Sequence, residues 1–311
     1  MTLRTALTQA LQVRYPVVLA AMDVTTEAGL ARAVTEAGGM GFVGAGYGGE
    51  AWLSGELASI ASWARRSRRP FGVGFASWSL HVQPALLDLA LRHGPKAVWL
   101  SFGAPDLWIE RIQAAGALAV CQVHTEAMAG AALSAGADIL VAQYPESNDD
   151  AARPGSLALL AAVTNLAGHR VPVIASADFA SGPGLAAALM LGASGVVLQA
   201  SFHGKLVSGV VDQDLAGTSL SSSSLRATRR ILGNLSPASD HLKRWLEREI
   251  EQLRASPAQD APHPGRRTPV GVEISDHHVD TRPGDLAARM AVLVDEAEQT
   301  LRGAQRYLSH P

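Results

Sequence analysis

Residues able to move a proton or hold a ligand gather in this chain where short apolar runs end. His124 follows the run Leu118–Val123. An imidazole just past a buried strand can act as a general base, or sit at a rim bonded to a neighbouring loop; the residues alone leave both readings open. His203 is a lesser candidate of the same kind. The stretch Tyr144–Pro154 (YPESNDDAARP) carries Glu146, Asp149 and Asp150. It can serve as a lid with carboxylates for acid–base work, or as a plain solvated loop. Gly44–Gly49 (GAGYGG) would bring backbone close to a ligand, though a glycine cluster alone does not specify phosphate. His277 and His278 lack a third ligand at helical or hairpin spacing, so they read as surface histidines and no metal site is expected. Cys121 is the sole cysteine. It excludes an intrachain disulfide and any multi-cysteine metal site, and suits a reducing compartment.

The elements that must position these groups show an internal rhythm. Ala31–Gly46, Ala129–Gln143 and Leu185–Gln199 each run from an Ala-rich helical stretch through a glycine break into a short apolar run. The glycine is a helix C-cap signal, and an unalternated Val/Ile/Leu run suits a strand buried on both faces of a parallel sheet. Such runs occur at Val17–Ala21, Met40–Val43, Phe71–Phe75, Ala97–Leu100, Leu118–Val123, Ile139–Ala142, Val173–Ala175 and Val196–Gln199. Eight of them with a helix between each pair predict an α/β fold, the closed (β/α)8 TIM barrel. The open doubly wound sheet is the alternative, but no Gly-x-Gly-x-x-Gly follows the first strand, which leads into Met22-Asp-Val-Thr-Thr26. The barrel is expected from 1–204 and 269–311. A helical and loop insertion at 205–268 holds the serine run Ser219–Ser224 and an amphipathic helix around Asp240–Leu253, and precedes a last helix, Asp285–Leu301, that packs on the barrel.

In such a barrel the reaction site lies at the C-terminal strand ends. Those ends supply Met22 and Asp23, Gly44–Gly49, Gly74 to Trp78, Ser101–Gly103, Gln122 and His124, Gln143 to Asp150, Ser176 to Asp178, and Gln199 to His203. The whole chain fits a core of that size: 311 residues, 48% hydrophobic and 17% charged. A net charge of −2, from 26 Lys+Arg and 28 Asp+Glu, gives no global field toward nucleic acid or anionic lipid. Leu3–Val13 reads as a short amphipathic segment, and Val17–Met22 ends too soon for a secretory signal. With no apolar run near the ~20 residues that cross a bilayer, the expectation is a cytoplasmic protein with a small-molecule substrate and neither membrane nor nucleic-acid partners.

Taken in order, these segments resemble the nitronate monooxygenase family, formerly 2-nitropropane dioxygenases, with the related flavin-dependent enoyl-acyl-carrier-protein reductases. Arg14-Tyr-Pro-Val-Val-Leu-Ala-Ala-Met22 is similar to the family's Arg-x-Pro-Ile-x-x-Ala-Pro-Met opening. Glu36–Gly44, Phe71–Gly74, Ser101–Pro105, Ala135–Gln143, Pro172–Ala175 and Gly182–Gly195 follow its later segments. The resemblance implies an FMN-dependent oxidoreductase acting on a small molecule with an acidic carbon, reoxidised by molecular oxygen. It places Ala21, Met22 and Gly74 near the isoalloxazine and Gln122 and Gln143 at its edge. Ser176, Ala177 and Asp178, with Gln199, Ala200 and Ser201, surround the phosphate end.

The departures from the family fall at that site. Asp150 stands where the family's catalytic histidine would be, Ala177-Asp178 replaces the phosphate-binding Gly-Gly, Gln199-Ala-Ser-Phe202 replaces Gly-Thr-Arg-Phe, and Gly74 replaces a flavin-contacting asparagine. A carboxylate ~4 Å from a phosphate costs on the order of a few kcal/mol at intermediate dielectric, enough to weaken binding by orders of magnitude. Proton transfer therefore falls to His124 or Asp150. The alternative is a flavin-free barrel repurposed as a lyase, isomerase or hydrolase, or as a non-catalytic binding protein.

Overall fold

The computed structural model describes residues 3–21, 27–45, 50–143, 156–168, 170–176, 181–198 and 285–304. The chain divides into two units, Met1–Val207 with Thr281–Pro311, and Ser208–Asp280. The insertion expected at 205–268 lies outside the described residues.

Eight parallel strands close into a barrel in chain order: β1 (Val17–Leu19), β2 (Met40–Gly44), β3 (Gly72–Ala76), β4 (Ala97–Ser101), β5 (Leu118–Val123), β6 (Ile139–Gln143), β7 (Val173–Ser176) and β8 (Gly195–Leu198). Closure is the pairing of Val17, Val18 and Leu19 with Val196, Val197 and Leu198. The strands are buried along nearly their whole length. They carry apolar side chains on both faces because one face meets the barrel interior and the other meets helices. These helices are α1 (Ala6–Leu11), α2 (Ala28–Glu36), α3 (Glu50–Ser67), α4 (Ser77–Val82), α5 (Ala85–Leu91), α6 (Asp106–Ala114), α7 (Glu126–Ser134), α8 (Ser156–Ala167), α9 (Gly182–Met190) and α10 (Asp285–Ala304). Two helices, not the one expected, join β3 to β4; Gln83-Pro84 separates them, proline lacking the N–H that a continuing helix would use.

The repeat read from the sequence has its physical basis in the helix ends. Gly136 and Gly192, which follow α7 and α9, both sit at φ 91°, a conformation that side-chain-bearing residues rarely adopt. At the helix starts, Thr125 and Ser181 accept hydrogen bonds from Met128 N and Gly184 N, each satisfying an otherwise orphan donor. α2 has no such cap of its own; Glu56 of α3 supplies one, its Oε2 accepting from Ala28 N at 2.6 Å.

Two apolar layers hold the barrel. The outer one lies between strands and helices. The inner one fills the barrel with Val18, Met40, Phe42, Ala97, Trp99, Val120, Ile139, Val141, Ile174 and Val197, and includes Leu7 and Leu11 of α1. Short N-terminal α1 is therefore a plug under the strands, not a surface helix. The last helix packs as expected: Leu286, Met290, Leu293, Val294 and Ala297 are buried, and Gly182 of α9 lies so close to Glu296 that a Cβ there would meet its Cβ at 2.2 Å. No helix among the described residues is long and apolar enough to cross a membrane.

Candidate active site

Alternation along each strand sends every second side chain inward. Because Val18, Phe42, Trp99, Val120, Val141 and Ile174 belong to the inner layer, the next inward positions at the C-terminal rim are Ala20, Gly44, Ser101, Gln122, Gln143 and Ser176. β3 adds Gly74 and Ala76. The rim thus has two halves. β1 to β3 present nothing larger than a methyl group, whereas β4 to β7 present hydrogen-bonding side chains, and Gln143 and Ser176 stand opposite one another in register.

The small half is tightly fitted. A Cβ on Gly74 would lie 2.0 Å from the Ala21 Cβ, and one on Gly72 would lie 2.3 Å from the Phe42 ring. Glycine at 74 is therefore required by the close approach of the chain leaving β1. Below it, Phe42 and Trp99 meet edge to face at 5.4 Å between ring centres, a favourable aromatic geometry.

The polar half is oriented by two hydrogen bonds. Trp99 Nε1 donates to Gln122 Oε1 at 3.1 Å. An indole N–H can only donate, so this contact fixes which end of the buried Gln122 amide is oxygen and leaves its NH2 as the end available to a ligand's acceptor. His124 Nδ1 lies 2.8 Å from the Gln143 carbonyl oxygen. A carbonyl can only accept, so Nδ1 carries the proton and Nε2 is the basic nitrogen of the neutral ring. Phe102, just past β4, stacks on the His124 ring, with centres 6.0 Å apart and planes 27° from parallel. Ser101 Oγ donates to the Phe75 carbonyl at 3.2 Å and so ties β4 to β3 at the rim.

Cys121, next to Gln122, takes no part. Its thiol is fully buried, and burial first, then the charge of Asp138, pushes its pKa up to about 12. No group of three or more His, Cys, Asp or Glu that could hold a metal occurs among the described residues.

His124, Ala21, Gly74, Gln122, Gln143 and Ser176 are thus brought to one end of the barrel. Met22, Asp150, Ala177, Asp178, Gln199, Ala200 and Ser201 lie outside the described residues, as do Glu146, Asp149, His203, His277 and His278. Two contributors escaped the sequence reading. One is Trp99, whose indole aligns Gln122; an inward-facing Trp two residues before a strand end was the available signal. The other is the Gln143 backbone carbonyl, for which no side-chain pattern gives a signal.

Residues 4–77 and 75–205 match the nitronate monooxygenase family model. Over 208 residues the chain is 35% identical to a nitronate monooxygenase of Metarhizium robertsii, covering 60% of this chain and 58% of that one. It is 32% identical over 225 residues to a nitronate monooxygenase of Neurospora crassa, covering 60% of each. A hydroxy-methyl-oxo-octahydroindene-carboxyl-CoA dehydrogenase of Mycobacterium tuberculosis is 30% identical over 203 residues, covering 65% of this chain and 56% of that one. The chain therefore matches less than two thirds of the length of these relatives. Among solved structures, FabK from Thermotoga maritima aligns over 98% of this chain and all of its own, with a TM-score of 0.66 and 20% identity. The nitroalkane oxidase of Streptomyces ansochromogenes aligns over 96% of this chain and all of its own, with a TM-score of 0.62 and 24% identity. At those identities the two structures speak for the barrel fold alone.

Proposed function

The chain belongs to the nitronate monooxygenase family, and on that footing we propose that it is an FMN-dependent oxidoreductase acting on a small molecule with an acidic carbon, of the nitronate type. The observation that carries this reading is the His124 imidazole, set by the Gln143 carbonyl with Nε2 as its basic nitrogen, one inward position beyond the Gln122 amide.

The described residues fit the ring end of a flavin. The Gly74–Ala21 contact keeps one side of the rim free of bulk, which suits a flat heteroaromatic ring. The Gln122 NH2 offers a donor to a ring or substrate oxygen. Ala21, Met22, Gly74, Gln122 and Gln143 would hold the ring side, and Ser176, Ala177, Asp178, Gln199, Ala200 and Ser201 the phosphate end. When bound, FMN supplies the electron acceptor for the substrate carbon and passes those electrons to molecular oxygen.

The chain's own residues then have distinct tasks. His124 Nε2 takes the proton from the acidic carbon, and the imidazolium that forms keeps its Nδ1–H on the Gln143 carbonyl. The Gln122 amide steadies negative charge on the substrate or ring as it develops; it is already aligned by Trp99, so no reorganisation accompanies the step. For a substrate that arrives as a preformed anion no proton is taken from carbon, and the Gln122 NH2 supplies the hydrogen bond to its charge. Asp150, at the family's histidine position, is the second candidate for proton transfer.

The absorbance spectrum of the purified protein tests the proposal. A yellow protein bleached by dithionite or by a nitronate is expected. A colourless protein that takes up no added FMN would overturn it in favour of a flavin-free barrel using His124 and Asp150 for other chemistry.

A further inference from the structure

We infer that Phe102 is a positioning residue for the proposed reaction: its ring face sets the tilt of the His124 imidazole and with it the place of Nε2. The inference rests on the proposed proton transfer at His124 and adds to it the group that aims the base. Phe102 acts through His124 and not on the substrate.

β5, which carries His124 just past its end, pairs with β4 on one side and β6 on the other. Each neighbour contributes one restraint on the imidazole. From β6 comes the Gln143 carbonyl oxygen, 2.8 Å from Nδ1. From the β4 side comes Phe102, one residue past the strand, with ring centres 6.0 Å apart and planes 27° from parallel. The two restraints are not equivalent. A histidine ring anchored at Cβ and at a hydrogen-bonded Nδ1 can still swing about the line joining those two atoms. Nε2 is the ring atom farthest from that line, so it moves most in the swing. A flat surface laid along the ring face blocks this motion, and a stacked aromatic ring is such a surface. The hydrogen bond therefore sets which nitrogen is basic, and Phe102 sets where that nitrogen points.

The backbone also sets Phe102 apart. Its φ is 51°, in the left-handed region that glycine enters freely and asparagine tolerates, and where a bulky side chain is disfavoured. Ser101, the residue before it, donates from Oγ to the Phe75 carbonyl at 3.2 Å, which anchors the start of the turn. A strained residue at a strand end, with its ring laid along an imidazole, is an outlier of the kind that accompanies a role at a site. Gly or Asn would make the same turn without strain but would present no aromatic face to His124.

The test compares nitroethane, whose carbon must lose a proton, with its anion ethylnitronate, which has already lost it. Both are followed by oxygen consumption with the FMN-loaded protein. Phe102→Leu keeps apolar bulk without the flat face, Phe102→Gly removes the ring and relaxes the turn, and Phe102→Tyr keeps the face. A base displaced by about an ångström should cost roughly 10-fold to 100-fold in kcat for nitroethane in the Leu and Gly variants. KM for nitroethane and turnover of ethylnitronate should stay within about twofold, since neither depends on where Nε2 points. Phe102→Tyr should restore nitroethane turnover to near the parent rate. Carbon NMR relaxation of the His124 Cε1–H bond gives a readout independent of turnover: the ring should be rigid in the parent and Phe102→Tyr, and mobile in the other two. Nitroethane turnover unchanged in the Leu and Gly variants, or equal losses on both substrates, would overturn the positioning role, as would a His124 ring equally rigid in all four proteins. No turnover of either substrate by the parent, with His124 still loosened in the Leu and Gly variants, would overturn the proposed reaction and leave Phe102 as the residue that holds the ring.

Discussion

Gly74→Ala is the substitution whose outcome the geometry determines most directly. The new Cβ would lie 2.0 Å from the Ala21 Cβ and 3.5 Å from the Trp99 Cβ, whereas non-bonded carbons rest about 3.5–4.0 Å apart. Between 74 and 21, roughly 1.5–2 Å of overlap must be relieved. Neither atom is the end of a flexible side chain, so backbone has to move. Overpacking of this kind costs about 1–3 kcal/mol. At about 2–4 °C per kcal/mol for a domain of this size, the melting temperature should drop by roughly 2–12 °C. Ala21→Gly removes the opposing methyl and should recover most of the loss, giving a coupling of about 1–2 kcal/mol in a urea-denaturation double-mutant cycle. Ala21 leads directly to Met22, so FMN affinity should fall about tenfold in the single variant and return in the double. Installing the family's asparagine at 74 alone should do no better than alanine, since the obstruction is at Cβ. A Gly74→Ala protein within ~0.5 kcal/mol of the parent, with the two substitutions merely additive, would refute the reasoning.

Other perturbations probe separate parts of the molecule. His124→Ala should lower kcat by roughly 100-fold to 10,000-fold while leaving flavin absorbance in place. Glu56→Ala leaves the Ala28 N–H without its acceptor, and chemical denaturation should report a loss of about 1 kcal/mol. The Cys121 thiol, with its pKa pushed up to about 12 by burial, should resist iodoacetamide in the native protein near pH 8 and react only after unfolding in urea. His93 has a pKa held below the ordinary 6.5 by burial, then by Arg65 and Arg92. The unfolded chain therefore binds its proton first, and stability should decline as pH falls from about 6.5 through the lower folded value, with no contribution from this residue above that window. His93→Gln should flatten that part of the stability curve.

The strands were legible because burial on both faces leaves a run of Val, Ile and Leu with no polar alternation, and their bounds agree with the expected runs to within a residue or two. β1 shows the limit, ending at Leu19 where the apolar run continues to Ala21, since alanine suits a strand and a loop equally. The role of α1 was not legible. Amphipathic spacing tells that Leu7 and Leu11 share a face, but not that this face meets the barrel interior. At the rim, strand-end position was enough to place His124, Gln122, Gln143 and Ser176 at one end of the barrel. What it left out was orientation. The bond to the Gln143 carbonyl belongs to the backbone and carries no residue preference, and the alignment of Gln122 by Trp99 depends on strand register. Phe102 was among the strand-end residues, yet neither its left-handed backbone nor its stacking can be inferred from a phenylalanine in sequence.

The plug formed by α1 bears on traffic through the barrel. With Leu7 and Leu11 stoppering the lower mouth beneath a filled inner layer, the cylinder is blind-ended among the described residues, and a guest above Trp99 is approached from the upper end of the strands.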